Sequence, residues 1–118
     1  MLSTQASDHS GGSLELDEAS DRSVAHLRAA GESGGKILLV GNGGSAAVAS
    51  HMQNDLCKAG NLQALVFTEQ PLLTAYSNDD GYENAYESMA KLWAGPNDAL
   101  VAISSSGSSE NILKTCRV

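Results

Sequence analysis

Basic residues are scarce in this chain. Seven lysines and arginines stand against 14 aspartates and glutamates in 118 residues, a formal net charge of -7. Such a field repels a polyanion, which argues against nucleic acid as the main partner. Long apolar runs are also missing: none approaches the roughly 20 residues of a membrane span. The N-terminus lacks the basic, apolar leader of an exported protein, so no membrane partner is expected. Cysteine is limited to Cys57 and Cys116, far apart and without a Cys-x-x-Cys spacing. They read as two reduced thiols of a cytoplasmic protein. Hydrophobic residues still make up 42% of the chain, which suits one small globular domain.

Residues 1–13 are polar, contain glycine and serine, show no periodicity and are expected to be disordered. From Leu14 the apolar positions Leu14, Leu16, Ala19, Val24 and Leu27 describe an amphipathic helix that ends at Gly31 to Gly35. Ile37 to Val40 is a short continuous apolar run, the mark of a strand buried on both faces, and Gln63 to Thr68 is a second one. Ser45 to Lys58 is helical, Pro71 to Tyr76 fits a short helix or a loop, and Ser77-Asn-Asp-Asp-Gly81 carries turn chemistry. A helix is expected over Tyr82 to Trp93, with Trp93 in the core. Ala99 to Ile103 gives a third strand and Glu110 to Cys116 the start of a last helix. Strands alternating with helices predict a parallel sheet with right-handed crossovers, whose ligands sit at the carboxyl ends of the strands. Three strands make a narrow sheet, so the domain, residues 14–118, reads as cut short after the third strand and its following helix.

Two segments at such strand ends are suited to a phosphate. One is Gly41-Asn-Gly-Gly-Ser45 and the other Ser104-Ser-Ser-Gly-Ser-Ser109. Helix N-termini attract anions through unpaired N–H groups, glycine allows close backbone approach, and serine hydroxyls add neutral donors. In an acidic chain, these local groups would have to replace a basic field. The first loop is neither a Walker A motif, since no Gly-Lys-Ser/Thr follows, nor a dinucleotide fingerprint, since the third glycine is missing. Asn42 is either a turn residue or a donor to a substrate hydroxyl, and spacing leaves both open. The serine run would suit a polar linker in isolation, but linkers do not sit between a buried strand and a helix.

His51 and Asp55, four apart, share one helix face. They form an acid/base pair, a partial metal site or a structural contact; two ligands do not close a metal site. Asn78 and Asp79 read first as capping residues of a turn, Glu110 as a first-turn acid favoured by the helix dipole, and His9 and His26 as surface residues.

Taken together, these motifs resemble the sugar isomerase (SIS) domain family, and within it the phosphoheptose isomerases. The match lies in Gly41-Asn-Gly-Gly-Ser-Ala-Ala47 with His51 downstream, Ser77-Asn-Asp79 with Gly81-Tyr82-Glu83, and Ile103-Ser-Ser-Ser-Gly-Ser-Ser109 with Asn111-Ile-Leu113. It runs from Leu16 to Leu113. The resemblance implies a flavodoxin-like three-layer α/β/α fold, assembly as a dimer or tetramer, and isomerisation of sedoheptulose 7-phosphate or a similar sugar phosphate. It assigns Asn42, Gly43, Gly44, Asn78 and Asp79 to the substrate, and Ser45, Ser104, Ser105, Ser106 and Ser109 to its phosphate. His51 matches a zinc ligand, and Asp55 falls where the family places a glutamate serving as ligand and acid/base.

Two departures accompany it. Asp55 is one methylene shorter than glutamate, which retracts the carboxylate by roughly 1.5 Å. The family's closing helix, with its glutamine and histidine, has no counterpart before Val118. The main expectation is a phosphosugar isomerase. The alternative is a non-catalytic SIS module that binds a sugar phosphate or a partner protein such as a replication-initiation factor.

Overall fold

The computed structural model of the chain describes residues 4–118. Part of the segment expected to be disordered, residues 1–3, lies outside the described residues. The remainder forms a small hairpin, a correction to that expectation. Strand β1 (Ala6–Ser7) pairs antiparallel with β2 (Ser13–Leu14). Its turn is organised by one carboxylate: Asp8 Oδ1 accepts from Ser10 N at 2.9 Å, Ser10 Oγ at 2.7 Å and Gly12 N at 2.9 Å. The Ser10 hydroxyl bond and the backbone N–H bonds hold the Asp8 carboxyl below its ordinary range. Periodicity does not reveal a turn built by side-chain bonding of this kind.

Helix α1 (Leu16–Glu32) follows, with Asp17 and Glu18 in its first turn, where acids favour the helix dipole. Strand β3 (Ile37–Gly41) is the middle of a parallel three-stranded sheet of order β4-β3-β5, flanked by β4 (Ala64–Val66) and β5 (Ala99–Ile103). The ladder sets Ile37 opposite both Ala64 and Ala99, and Gly41 opposite Ile103. Strand β4 is shorter than the expected Gln63–Thr68, but its flanks still bond to β3. Ile37 N donates to Gln63 O at 2.7 Å and Phe67 N to Leu39 O at 3.2 Å.

Because side chains alternate across a strand, the β3 run feeds two cores. Leu38 and Val40 pack with Phe67, Tyr86, Met89 and Ile112 on one face. Ile37 and Leu39 pack with Ala49 on the other, where Leu27, Met52 and Val101 complete the cluster. Helices α1 and α2 (Gly44–Lys58) contribute to the second core. Helices α3 (Gln70–Asp80), α4 (Tyr82–Trp93) and α5 (Glu110–Thr115) contribute to the first, which makes three layers.

The ambiguous segment at Pro71 is helical: Pro71 sits in the first turn and Glu69 accepts the Leu72 N–H at 2.8 Å as cap. Helix α3 also absorbs the expected turn at Ser77–Asp80. Ser77 Oγ bonds back to Leu73 O at 2.6 Å within the helix, and Gly81 alone makes the break, with φ 87°. Trp93, expected in the core, ends α4 and is 47% exposed. Among the described residues, no helix is long and apolar enough to cross a membrane.

Candidate functional site

The first loop leaves the sheet at Gly41, where no other residue fits. A Cβ there would lie 2.7 Å from Ser45 C and O in the first turn of α2. This close approach folds the loop tightly over the strand end, and Ser45 N donates to Asn42 O at 2.9 Å. Gly43, with φ 54°, is the N-cap of α2 and brings no side-chain cap. The opening N–H groups of α2 therefore have no side-chain partner from the cap, and a Cβ at Gly43 or Gly44 would meet nothing within 4 Å. The loop is open on its outer side. Its inner side is fixed by Tyr86, whose buried hydroxyl donates to Gly41 O at 2.8 Å. Burial first, then the Tyr82 hydroxyl beside it, pushes the Tyr86 phenol well up, so it stays protonated and keeps donating.

The second loop leaves the neighbouring strand β5 at the same sheet end. Its serines turn toward one another. Ser106 Oγ lies 3.4 Å from both Ser104 Oγ and Ser109 Oγ. Ser104 Oγ accepts from Gly107 N at 3.1 Å, and Ser106 Oγ accepts from Ser108 N at 3.2 Å. Gly107, with φ 65°, supplies the reversal. The result is a small convergent set of hydroxyls, each able to rotate its proton outward. Ser105 stands exposed beside them, without a hydrogen bond to the set.

The first loop is tied by side-chain amides to α5, the helix that follows the second loop. Asn42 Nδ2 donates to Asn111 Oδ1 at 3.0 Å, and Asn111 Nδ2 donates to Asn42 Oδ1 at 2.9 Å. Tyr82 Oη, at the start of α4, donates to the same Asn42 oxygen at 2.7 Å. Loop one, α4 and α5 thus meet at a single residue, Asn42. Asn111 is 4% exposed, and neither it nor Tyr82 carried a site role in the sequence reading. The available signal was an asparagine at the second position of a helix after a serine loop, where a buried amide needs a reason.

Asn78 and Asp79 occupy the last turn of α3, exposed, with Asn78 Nδ2 donating to Asp79 Oδ1 at 2.8 Å. They are helical rather than the turn caps expected, and Tyr82 makes the bond from the α3–α4 junction to loop one. His51 and Asp55 share a face of α2 with His51 Nε2 3.5 Å from Asp55 Oδ2, and their side chains are 79% and 60% exposed. By helix rise His51 is about 9 Å along the axis from Ser45. An open hollow beside the pair is lined by Ala47, Val48, His51, Met52 and Asp55, all from α2. One imidazole nitrogen and one carboxylate oxygen at this separation suit two neighbouring positions of a tetrahedral zinc. Among the described residues, no group of three or more metal-ligating side chains gathers. Two such side chains alone do not close a metal site.

An open hollow of about 800 Å³ lies elsewhere, between α1 and β5, with His26, Met52, Asn97 and Leu100 among its lining. It contains none of the two-loop residues.

The chain is similar to known proteins over most of its length. The SIS domain profile matches residues 12–118. A phosphoheptose isomerase of Solidesulfovibrio magneticus is 39% identical over 109 residues, covering 87% of this chain and 52% of that protein. One from Helicobacter pylori is 40% identical over 109 residues, covering 86% of this chain and 57% of its own length. Among solved structures, phosphoheptose isomerase GmhA from Neisseria gonorrhoeae superposes with a TM-score of 0.81 at 33% identity, over 86% of this chain and 56% of that one. The chain spans about half the length of the relatives it matches. A parallel α/β/α sheet with glycine and serine loops at the ends of adjacent strands, together with a profile match across nearly all its residues, makes this chain a member of the SIS domain family.

Proposed function

We propose that this chain binds a sugar phosphate at the Gly41–Ser45 and Ser104–Ser109 loops, as part of a phosphosugar isomerase of the phosphoheptose isomerase type acting on sedoheptulose 7-phosphate or a close analogue. The observation that carries this reading is the convergence of three serine hydroxyls beside an open glycine loop, joined by the Asn42–Asn111 amide pair. Phosphate oxygens are acceptors, and serine hydroxyls and the N–H groups of a helix start can donate to them. The names of the homologues point to the same substrate class. Ser45 and Ser105 belong to this cradle, with Asn78 and Asp79 as contacts to the sugar.

The chemistry is aldose–ketose interconversion. A base removes the proton on the carbon next to the carbonyl, giving an enediol, and the proton returns to the neighbouring carbon. Asp55 is the carboxylate placed for this transfer, with His51 as its partner at 3.5 Å. The same two side chains would hold zinc, with further ligands from outside this set; the ion would polarise the carbonyl oxygen. Because the pair is so exposed on α2, the site needs a cover, and a homodimer or homotetramer would supply one. A cytoplasmic location suits the two exposed free thiols, Cys57 and Cys116.

Calorimetric titration with sedoheptulose 7-phosphate tests the reading. Removing both Ser104 and Ser106 hydroxyls by alanine substitution deletes charge-assisted bonds worth about 1.5–3 kcal/mol each. Affinity should fall at least about tenfold. Unchanged affinity would put the phosphate elsewhere.

A further inference from the structure

The amide of Asn42 has a direction, and the surrounding bonds decide it. Asn111 Oδ1 accepts from the backbone N–H of Ile112 at 3.0 Å, a donor it shares with Ser109 O at 3.0 Å. A backbone N–H can only donate, so the oxygen of Asn111 must face it and its NH₂ group must face Asn42. The group of Asn42 that receives this NH₂ must then be its oxygen. Tyr82 Oη, 2.7 Å from that oxygen, donates to it as well. Both lone pairs of Asn42 Oδ1 are thereby used, and one of its two amide hydrogens points back to Asn111 Oδ1 at 3.0 Å. One group remains: the second amide N–H.

We infer that Asn111 is a positioning residue that fixes Asn42 as a pure hydrogen-bond donor toward the ligand. The inference rests on the sugar-phosphate reading above and deepens it. Without Asn111 only the Tyr82 hydroxyl faces the Asn42 amide, and a hydroxyl can accept as well as donate, so the amide can turn over and present its oxygen to a phosphate or carbonyl oxygen, repelling it. With Asn111, the loop offers an N–H in one fixed direction, and the ligand atom opposite must be an acceptor. The physical basis is burial: Asn111 is 4% exposed, so leaving its amide unpaired is costly and the pair stays closed. Thr115 Oγ1 helps hold this turn of α5 by donating to Asn111 O at 2.7 Å.

The test uses the full ¹⁵N-labelled chain and follows the Asn42 side-chain amide by NMR, with sedoheptulose 7-phosphate and inorganic phosphate as probes. In the parent, one Asn42 amide proton should shift on titration while the other, bonded to Asn111, stays. Asn111→Leu should move both protons toward free-amide positions before any ligand is added, and weaken sugar-phosphate binding at least about tenfold. Tyr82→Phe removes only the hydroxyl from a 45% exposed residue, leaves the core untouched, and should move the same resonances to a lesser extent. It therefore serves if Asn111→Leu fails to fold. Parent-like Asn42 resonances and affinity in Asn111→Leu, or unmoved resonances in Tyr82→Phe, would overturn the inference. If the parent binds neither probe, the sugar-phosphate reading fails by itself. The positioning role then stands or falls on the ligand-free resonances of the two variants.

Discussion

Asp98 should contribute more to stability than any other charged residue of the chain, and Asp98→Ala measures it. The carboxylate closes the approach to the central strand. It accepts from Lys36 N at 2.8 Å and from Gly95 N at 2.7 Å, and pairs with the Lys36 ammonium. The Asp98 side chain is only 7% exposed and that of Lys36 27%. On truncation the ammonium can turn to water, so its loss is small. The two backbone N–H groups cannot follow, and each unpaired buried donor costs about 1–3 kcal/mol. Water reaches the exposed Gly95 end, which places the total at about 2–4 kcal/mol. In a chain of this length that lowers Tm by roughly 8–16 °C. The dependence on pH gives a second check. Burial raises the Asp98 carboxyl, but the hydrogen bonds from Lys36 and Gly95 and the Lys36 charge outweigh it, and the folded value lies below the ordinary 3.8. A depressed carboxylate stabilises the fold above its unfolded pKa and loses that contribution as pH falls through the folded value. The gap between parent and Asp98→Asn should therefore be full at neutral pH and narrow below pH 3.8. Urea unfolding followed by circular dichroism from neutral pH to pH 2.5 reads both effects. An Asp98→Ala chain within about 0.5 kcal/mol of the parent, the ordinary scatter of surface substitutions, would refute this reasoning.

Gly41→Ala should weaken both folding and phosphate binding, because its Cβ meets backbone of α2 at 2.7 Å and neither side can yield cheaply; about 1–3 kcal/mol in thermal unfolding is expected, and none would mean the loop shifts freely. Sedimentation at micromolar concentration should show a dimer or tetramer, since Leu16, Val24 and Val48 leave α1 and α2 with exposed apolar positions; a stable monomer contradicts the assembly. With added zinc, conversion of sedoheptulose 7-phosphate by this chain should be slow, and Asp55→Asn should reduce whatever turnover exists by about 10²–10⁴-fold. Asp55→Glu, by restoring reach, should raise it. Equal rates in all three would remove Asp55 from the reaction.

Much of this protein was legible in its residues before any fold was known. Ile37–Val40 declared a central strand because an unbroken apolar run has no solvent face to offer, and both of its faces are buried. The two serine/glycine loops were legible because their glycines and hydroxyls cluster where an apolar run ends and a helix pattern begins. Local bonding misled the reading elsewhere. Ser77–Asp80 has the composition of a turn, yet its Ser77 hydroxyl bonds back into α3 and leaves the break to Gly81. The hairpin at Ala6–Leu14 depends on one aspartate gathering three donors, a pattern without periodicity. Tertiary structure alone decided which residues meet. Asn42 and Asn111 are 69 positions apart, and only the parallel pairing of β3 with β5 sets their amides face to face. Conversely, the i,i+4 spacing of His51 and Asp55 fixed their mutual distance, because a helix does that by itself. Where that pair points relative to the loops is set by how α2 rolls against the sheet, and that depends on packing between elements distant in sequence.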